Sequence, residues 1–176
     1  ILSAIKQRRT IELFHQAFTL AEPTRRTVNP YGLKEFKGRW YLLAYDTGKE
    51  EMRVFGLDRV SSLNMLPQVF VYKEKYNISN YFKNSFGIVR DSIMPERIVL
   101  SVDVLYGKYL ETRPVHHSQR LVEVNEEECH IELFLSPTYD FIQELLSMFE
   151  RVRVLKPQHL KEELLRIHRL CIENLG

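Results

Sequence analysis

Two arginines, Arg53 and Arg59, bracket the string Arg53-Val54-Phe55-Gly56-Leu57-Asp58-Arg59. Each carries a planar guanidinium fork that suits phosphate or carboxylate oxygens and stays charged at neutral pH. On a straight strand the two would stand roughly 20 Å apart, at about 3.3 Å per residue, too far to grip one phosphate. Either the chain bends around Gly56 and Asp58, or the ligand is long enough to touch both forks; both routes favour an anion. The competing reading of Arg59 is a salt bridge with Asp58 or another nearby acid. In the preceding apolar run, Trp40 and Tyr41 alternate and so face opposite sides of a strand. Trp40 shares its side with Leu42 and Ala44 and is expected to plug the core, which leaves Tyr41 for ligand contact, against the reading that both rings only pack.

Other chemistry finds little foothold. The sequence holds no Ser/His/Asp order, no CxxC, no GxGxxG after a strand and no glycine-rich phosphate loop, so neither a catalytic residue nor a cofactor is expected. His116-His117 has no Asp, Glu or Cys at ligand spacing around it, and no metal site is expected. A nucleic-acid hydrolase would need carboxylates beside the arginines, where only Asp58 stands close in sequence. The chain reads as a binding protein rather than an enzyme.

These side chains need a scaffold. A chain of 176 residues with 44% apolar and 27% charged side chains fits one large or two small globular domains, with two preferred, and opposes disorder. Net charge is only +2, but residues 1–66 hold 11 Lys and Arg against 7 Asp and Glu, while the remainder holds 14 against 16. An anion should therefore prefer the first third. Cys129 and Cys171 match no disulfide framework, are expected in the core, and fit a reducing, cytoplasmic compartment. No apolar run approaches the roughly 18 residues that span a bilayer, so no membrane partner is expected.

Residues 1–9 open on a short amphipathic helix. Strands are expected over 10–14, 28–36, 39–45 and 51–57, with 63–66 as a further edge, and Lys37-Gly38 and Asp46-Thr47-Gly48 supply tight turns. Such short strands suggest a small barrel, because closure removes exposed edges. From Arg97 the pattern becomes strand 98–104, helix 105–111 ended by Pro114, and strands 120–124 and 131–135 around a solvated acidic turn at Asn125 to Glu128. Ser136-Pro137-Thr138 then offers capping chemistry to a helix with Phe141, Leu145, Met148 and Phe149 in one apolar stripe. Strand 152–155 and a last helix from Pro157, with Leu160, Leu164, Ile167, Leu170 and Cys171 on one face, complete the chain. The order β-α-β-β-α-β is that of ferredoxin-like folds. The expected class is thus α+β: a small barrel over 1–70, a connector over 71–94, and a ferredoxin-like module with a final helix over 95–176.

The run Gly38-Arg39-Trp40-Tyr41-Leu42, followed by Arg53-Val54-Phe55-Gly56-Leu57-Asp58-Arg59-Val60 and preceded by Arg26-Thr27-Val28-Asn29-Pro30, resembles the signature of WYL domains. Phe86-Gly87-Ile88, His117-Ser118-Gln119 and the stretch from Val152 to Leu160 resemble the WCX extension that commonly follows them, so the resemblance covers nearly the whole chain. It implies a Sm/SH3-like barrel that senses a ligand, joined to a control module that helps form a homodimer, within a bacterial transcriptional regulator. The implied effector is a nucleotide or single-stranded nucleic acid held in the barrel groove. Operator DNA would be bound through an N-terminal helix-turn-helix domain missing from this chain. On the family pattern Phe14 and His15 take an aromatic-polar pair facing the groove, with Phe-His-Gln standing where a Tyr with a nearby Ser is commoner, and Arg26 takes a basic position. The candidate ligand contacts are therefore Tyr41, Arg53, Arg59, His15, Phe14 and Arg26. The alternative role is a non-sensing assembly or accessory protein, such as a phage-defence scaffold.

Overall fold

Along β1 (Arg9–His15) the side chains of Ile11, Leu13 and His15 form one buried row, the every-second-residue pattern of a strand lying on a core. In the computed structural model, which describes residues 1–175, β1 pairs antiparallel with β2 (Thr24–Phe36) on one side and β5 (Val60–Val69) on the other. Strands β3 (Arg39–Asp46) and β4 (Glu51–Gly56) extend this five-stranded sheet in the order β4-β3-β2-β1-β5. On one face Ile11, Leu13, Val28, Leu42, Ala44 and Phe55 meet Ala4 of helix α1 (Leu2–Gln7). On the other face Tyr31, Leu43, Phe70 and Phe82 form a second core, with Tyr45, Tyr72, Tyr76 and Ile78 packed around it. Helix α2 (Ile78–Tyr81) lies in this part of the chain. The first compact unit accordingly runs over Ile1–Phe82, and the second starts at Lys83, so the expected connector is divided between them.

The first sheet does not close into the expected barrel: among the described residues no ladder joins its outer strands β4 and β5. Strand β4 is six residues long and leaves the sheet at Gly56 into a 3-10 turn, Leu57–Arg59, so it offers no run of backbone to lie beside β5. Strand β5 is longer than expected because its residues are mostly exposed, and a strand without a buried stripe leaves no alternation to read.

The second unit follows the expected element order: β6 (Glu96–Asp103), α3 (Val104–Thr112), β7 (Arg120–Val124), β8 (Glu128–Leu135), α4 (Tyr139–Ser147), β9 (Val152–Lys156), then α5 (Gln158–Glu173). Its antiparallel sheet has the order β7-β8-β6-β9. The core joins Ile98, Leu100, Ile131, Leu133, Phe141 and Leu145, among others, with Leu160 of α5. Mixed α+β architecture with two antiparallel sheets is therefore what the chain adopts. No helix among the described residues is long and apolar enough to cross a membrane.

Several local expectations change. Phe149 leaves the α4 stripe: it sits at φ 53°, three-quarters exposed, because the helix has already given way to a 3-10 turn over Phe149–Arg151. Thr138 occupies the N-cap of α4 but makes no side-chain cap bond; its hydroxyl is buried, with no hydrogen-bond partner among the described residues. Cys129 is buried, whereas Cys171 is exposed because the distal part of α5 lies outside the core. Glu128 is more than a solvated turn residue, since Ser101 and Arg153 donate to its carboxylate and the His130 ring bonds it.

The segment Phe86-Gly87-Ile88 is held by Asp140 of α4, whose Oδ2 accepts from the backbone N–H of Ile88 at 2.8 Å and of Val89 at 2.9 Å. Gly87 has φ +77°, and a Cβ there would lie 2.3 Å from the same oxygen. A side chain would meet left-handed backbone and displace the carboxylate from both donors. Gly87→Ala is expected to cost on the order of 2–3 kcal/mol of stability, read as a lowered urea midpoint with unchanged slope.

Candidate functional site

Paired residues of an antiparallel ladder share a face of the sheet, and the registers Leu13↔Arg26, Leu42↔Phe55 and Ala44↔Arg53 place Arg26 and Arg53 on the side that carries His15. His15 ends the Ile11, Leu13 row and is buried with it, 8% exposed, its ring edge-on to Phe55 at 5.3 Å. Its Nε2 is buried and has no hydrogen-bond partner among the described residues. Burial lowers its pKa below the ordinary histidine value, Arg59, Arg26 and Arg53 push it the same way, and Asp58 opposes them. His15 is therefore a neutral imidazole at neutral pH.

Arg59 reaches the same place by a bend. Strand β4 ends at Gly56, and the 3-10 turn that follows folds the Arg59 guanidinium back over that glycine, where a Cβ would stand 2.8 Å from Nη2 and 3.0 Å from Nε. A side chain there would have to push aside the ends of the Asp58 and Arg59 side chains. The guanidinium carbon lies 4.5 Å from the centre of the Phe18 ring, within cation–π range. Asp58 Oδ1 is 3.8 Å from Nε, an ion pair without a hydrogen bond, and the buried Nε has no hydrogen-bond partner among the described residues. Asp58 also faces Arg39 at 3.4 Å. Beside Arg59 opens a cleft of about 410 Å³ lined by Gln16, Phe18, Pro23, Asp58 and Ser61, with others.

Arg26 and Arg53 have weaker partners. Arg26 Nη1 lies 3.6 Å from Oδ2 of Asp46, a carboxylate only 1% exposed whose Oδ1 accepts from the N–H of Gly48 and Lys49. Oδ2 itself makes no hydrogen bond among the described residues. Arg53 is 3.3 Å from the exposed Glu51. One group thus gathers three guanidinium groups, each beside a carboxylate, around a neutral histidine, with buried polar atoms on His15, Arg59 and Asp46 that make no hydrogen bond among the described residues. Each such atom costs roughly 1–3 kcal/mol unless something satisfies it.

Of the six candidate contacts, His15, Arg26, Arg53 and Arg59 come together, and Tyr41 and Phe14 do not. Tyr41 alternates with Leu42 and therefore faces the side of Leu43, away from the histidine. Phe14 pairs with Arg25 and points opposite to Leu13 and His15. Trp40 does share the side of Leu42, but it is 54% exposed because it stands one residue from the start of β3, beyond the edge of the core. Asp46 and Phe18 were not anticipated. Asp46-Thr47-Gly48 signals a turn, and nothing local marks its carboxylate as buried; Phe18 sits in a loop without periodicity.

Residues 1–65 match the model of the WYL domain, and residues 94–171 match that of the WCX domain. A stretch of 63 residues, 35% of this chain, is 41% identical to proteins named Protein PafB from Mycobacterium bovis and Mycobacterium tuberculosis, and it spans 19% of their length. Among solved structures, one described as a CRISPR Cas-related protein aligns with 99% of this chain and 49% of its own, with TM-score 0.55 and 14% identity, a likeness of fold alone. Proteasome accessory factor B/C (PafBC) of Arthrobacter aurescens aligns with 94% of this chain and 25% of its own at TM-score 0.44 and 21% identity.

Because the folded pKa of His15 is depressed, the unfolded chain binds the extra proton first as pH falls. The stability that depends on neutral His15 is present above the unfolded value of about 6.5 and is lost progressively below it. His130 shifts the other way, raised mainly by its hydrogen bond to Glu128, so its contribution fades as pH rises. Urea midpoints at pH 7.5 and 5.5 are expected to separate the two: the wild type should lose more stability on acidification than His15→Gln, which lacks the His15 dependence and keeps that of His130.

Proposed function

The chain belongs to the WYL-domain family, with a WYL domain followed by a WCX domain, and from that premise we propose that it is the ligand-sensing and dimerisation region of a bacterial transcriptional regulator. The observation that carries the sensing role is the convergence of Arg26, Arg53 and Arg59 on a buried histidine that stays uncharged. Arg53 and Arg59 are held by loose ion pairs, to Glu51 at 3.3 Å and Asp58 at 3.8 Å, so the oxygens of an anionic ligand can compete with those carboxylates for the guanidinium forks. The effector is a nucleotide or single-stranded nucleic acid. Its negative charge would also raise the pKa of His15, so binding should take up a proton and strengthen as pH falls.

On this reading the role is regulatory and not catalytic, and the protein works in the cytoplasm as a homodimer. Operator DNA is contacted by a helix-turn-helix domain ahead of the WYL domain. In the same reading the first unit is an opened Sm/SH3-like small barrel and the second a ferredoxin-like module; the strand order of the second sheet supports the latter.

Titration of the chain with a short, dye-labelled single-stranded DNA, followed by fluorescence anisotropy, tests the reading. Affinity should fall steeply between low and moderate salt, since bound phosphates release counterions. Arg59→Ala should weaken binding by about tenfold or more, a charge-assisted hydrogen bond being worth roughly 1.5–3 kcal/mol, and adding Arg53→Ala should weaken it further. Wild-type affinity insensitive to salt, or unchanged by both substitutions while light scattering shows an altered oligomer mass, would replace the sensing role with an assembly role.

A further inference from the structure

Phe18 is 80% exposed, and by itself a lone exposed phenylalanine carries no information. Its setting does. Loop 16–23 is fastened at its base: the Gln16 N–H donates to the Arg59 carbonyl at 3.1 Å, and Gln16 Nε2 reaches the carbonyls of Leu20 at 3.4 Å and Ala21 at 2.9 Å. The Leu20 N–H closes a turn on the Ala17 carbonyl at 3.0 Å. Phe18 stands on that turn with one ring face against the Arg59 guanidinium and the other toward solvent, at the wall of the cleft. The guanidinium in turn rests on Gly56. Backbone, guanidinium and phenyl ring thus form a layered stack whose outermost surface is an exposed aromatic face, with the ring centre 4.5 Å from the guanidinium carbon.

We infer that Phe18 is a stacking platform for a nucleobase, so that the site takes an anion carrying an aromatic ring, with phosphate on the edge of Arg59 and base on the outer face of Phe18. This rests on the anion-binding reading above and deepens it by naming which part of the ligand is read. Every nucleobase presents a π-face, so the contact is tolerant of sequence. The guanidinium beneath the ring holds it in place before the ligand arrives, and a platform already ordered loses little entropy on binding.

Isothermal titration calorimetry of the whole chain with thymidine 5′-monophosphate, with deoxyribose 5-phosphate and with inorganic phosphate tests this. The wild type should prefer the nucleotide over the abasic sugar phosphate by about tenfold, the size of one base–aromatic stack. Phe18→Ala should erase that preference while leaving the affinity for deoxyribose 5-phosphate within about twofold, and Phe18→Tyr should restore it; the exposure of Phe18 means that all variants should unfold at the same urea concentration as the wild type. A preference that survives Phe18→Ala overturns the proposal. So does an equal loss for both sugar phosphates, which would mean that Phe18 only props Arg59. Wild-type protein that binds none of the three probes removes the anion site itself and this proposal with it, whereas intact phosphate binding with no gain from the base removes this proposal alone.

Discussion

Burial on both faces of the five-stranded sheet constrains the side chains at its centre. Alternate residues of β3 enter one core or the other, and one face of β1 enters the first, because the α1 side collects Ile11, Leu13, Leu42 and Ala44 while the segment after β5 covers Leu43 and Tyr31. His15 is buried for that reason: it is the next position in the row of Ile11 and Leu13, and the Phe55 ring closes over it. Arg26 and Arg53 share its side because the ladder registers leave them no other. The charged group is thus a by-product of strand geometry, placed at the end of an apolar core where solvation is poor.

Magnitudes then decide what that group can do. Exposed ion pairs such as Arg53 with Glu51 contribute about 0–1 kcal/mol and hold nothing firmly. Buried polar atoms without partners, on His15, Asp46 and Arg59, cost more than such pairs return. The balance leaves a site placed by packing, through Gly56 beneath Arg59 and Phe18 above it, in which each arginine stands 3.3–3.8 Å from one carboxylate. Asp58 lies close enough to Arg59 to temper its charge and too far to make a hydrogen bond. Packing sets the geometry, and the nearby carboxylates temper the charge.

The second unit shows the same interplay of local pattern and long-range packing. β6 is a short continuous apolar run, buried throughout 98–102, and β8 alternates; both strands form within a few residues of where the chain predicts them. The helix stripe fails only at Phe149, where a positive φ and the turn to β9 override the periodicity. Glu128, in an acidic run that looks fit only for solvent, is drawn into bonds with Ser101 and Arg153 because β6 lies beside it in the sheet and β9 follows on the far side of β6.

What the amino-acid order determined unaided was whatever depends on near neighbours: the strands at 39–45 and 120–124, the β-α-β-β-α-β succession, and the two-domain family pattern. Those follow from side-chain period, turn chemistry and short motifs, which act over a few residues. Only the tertiary structure decided that the first sheet stays open, that Trp40 is exposed, that Tyr41 and Phe14 turn away from His15, and that Phe18 lies on Arg59. Each of these depends on which strand lies beside which and on where a core ends, and such pairings join residues dozens of positions apart that no local rule connects.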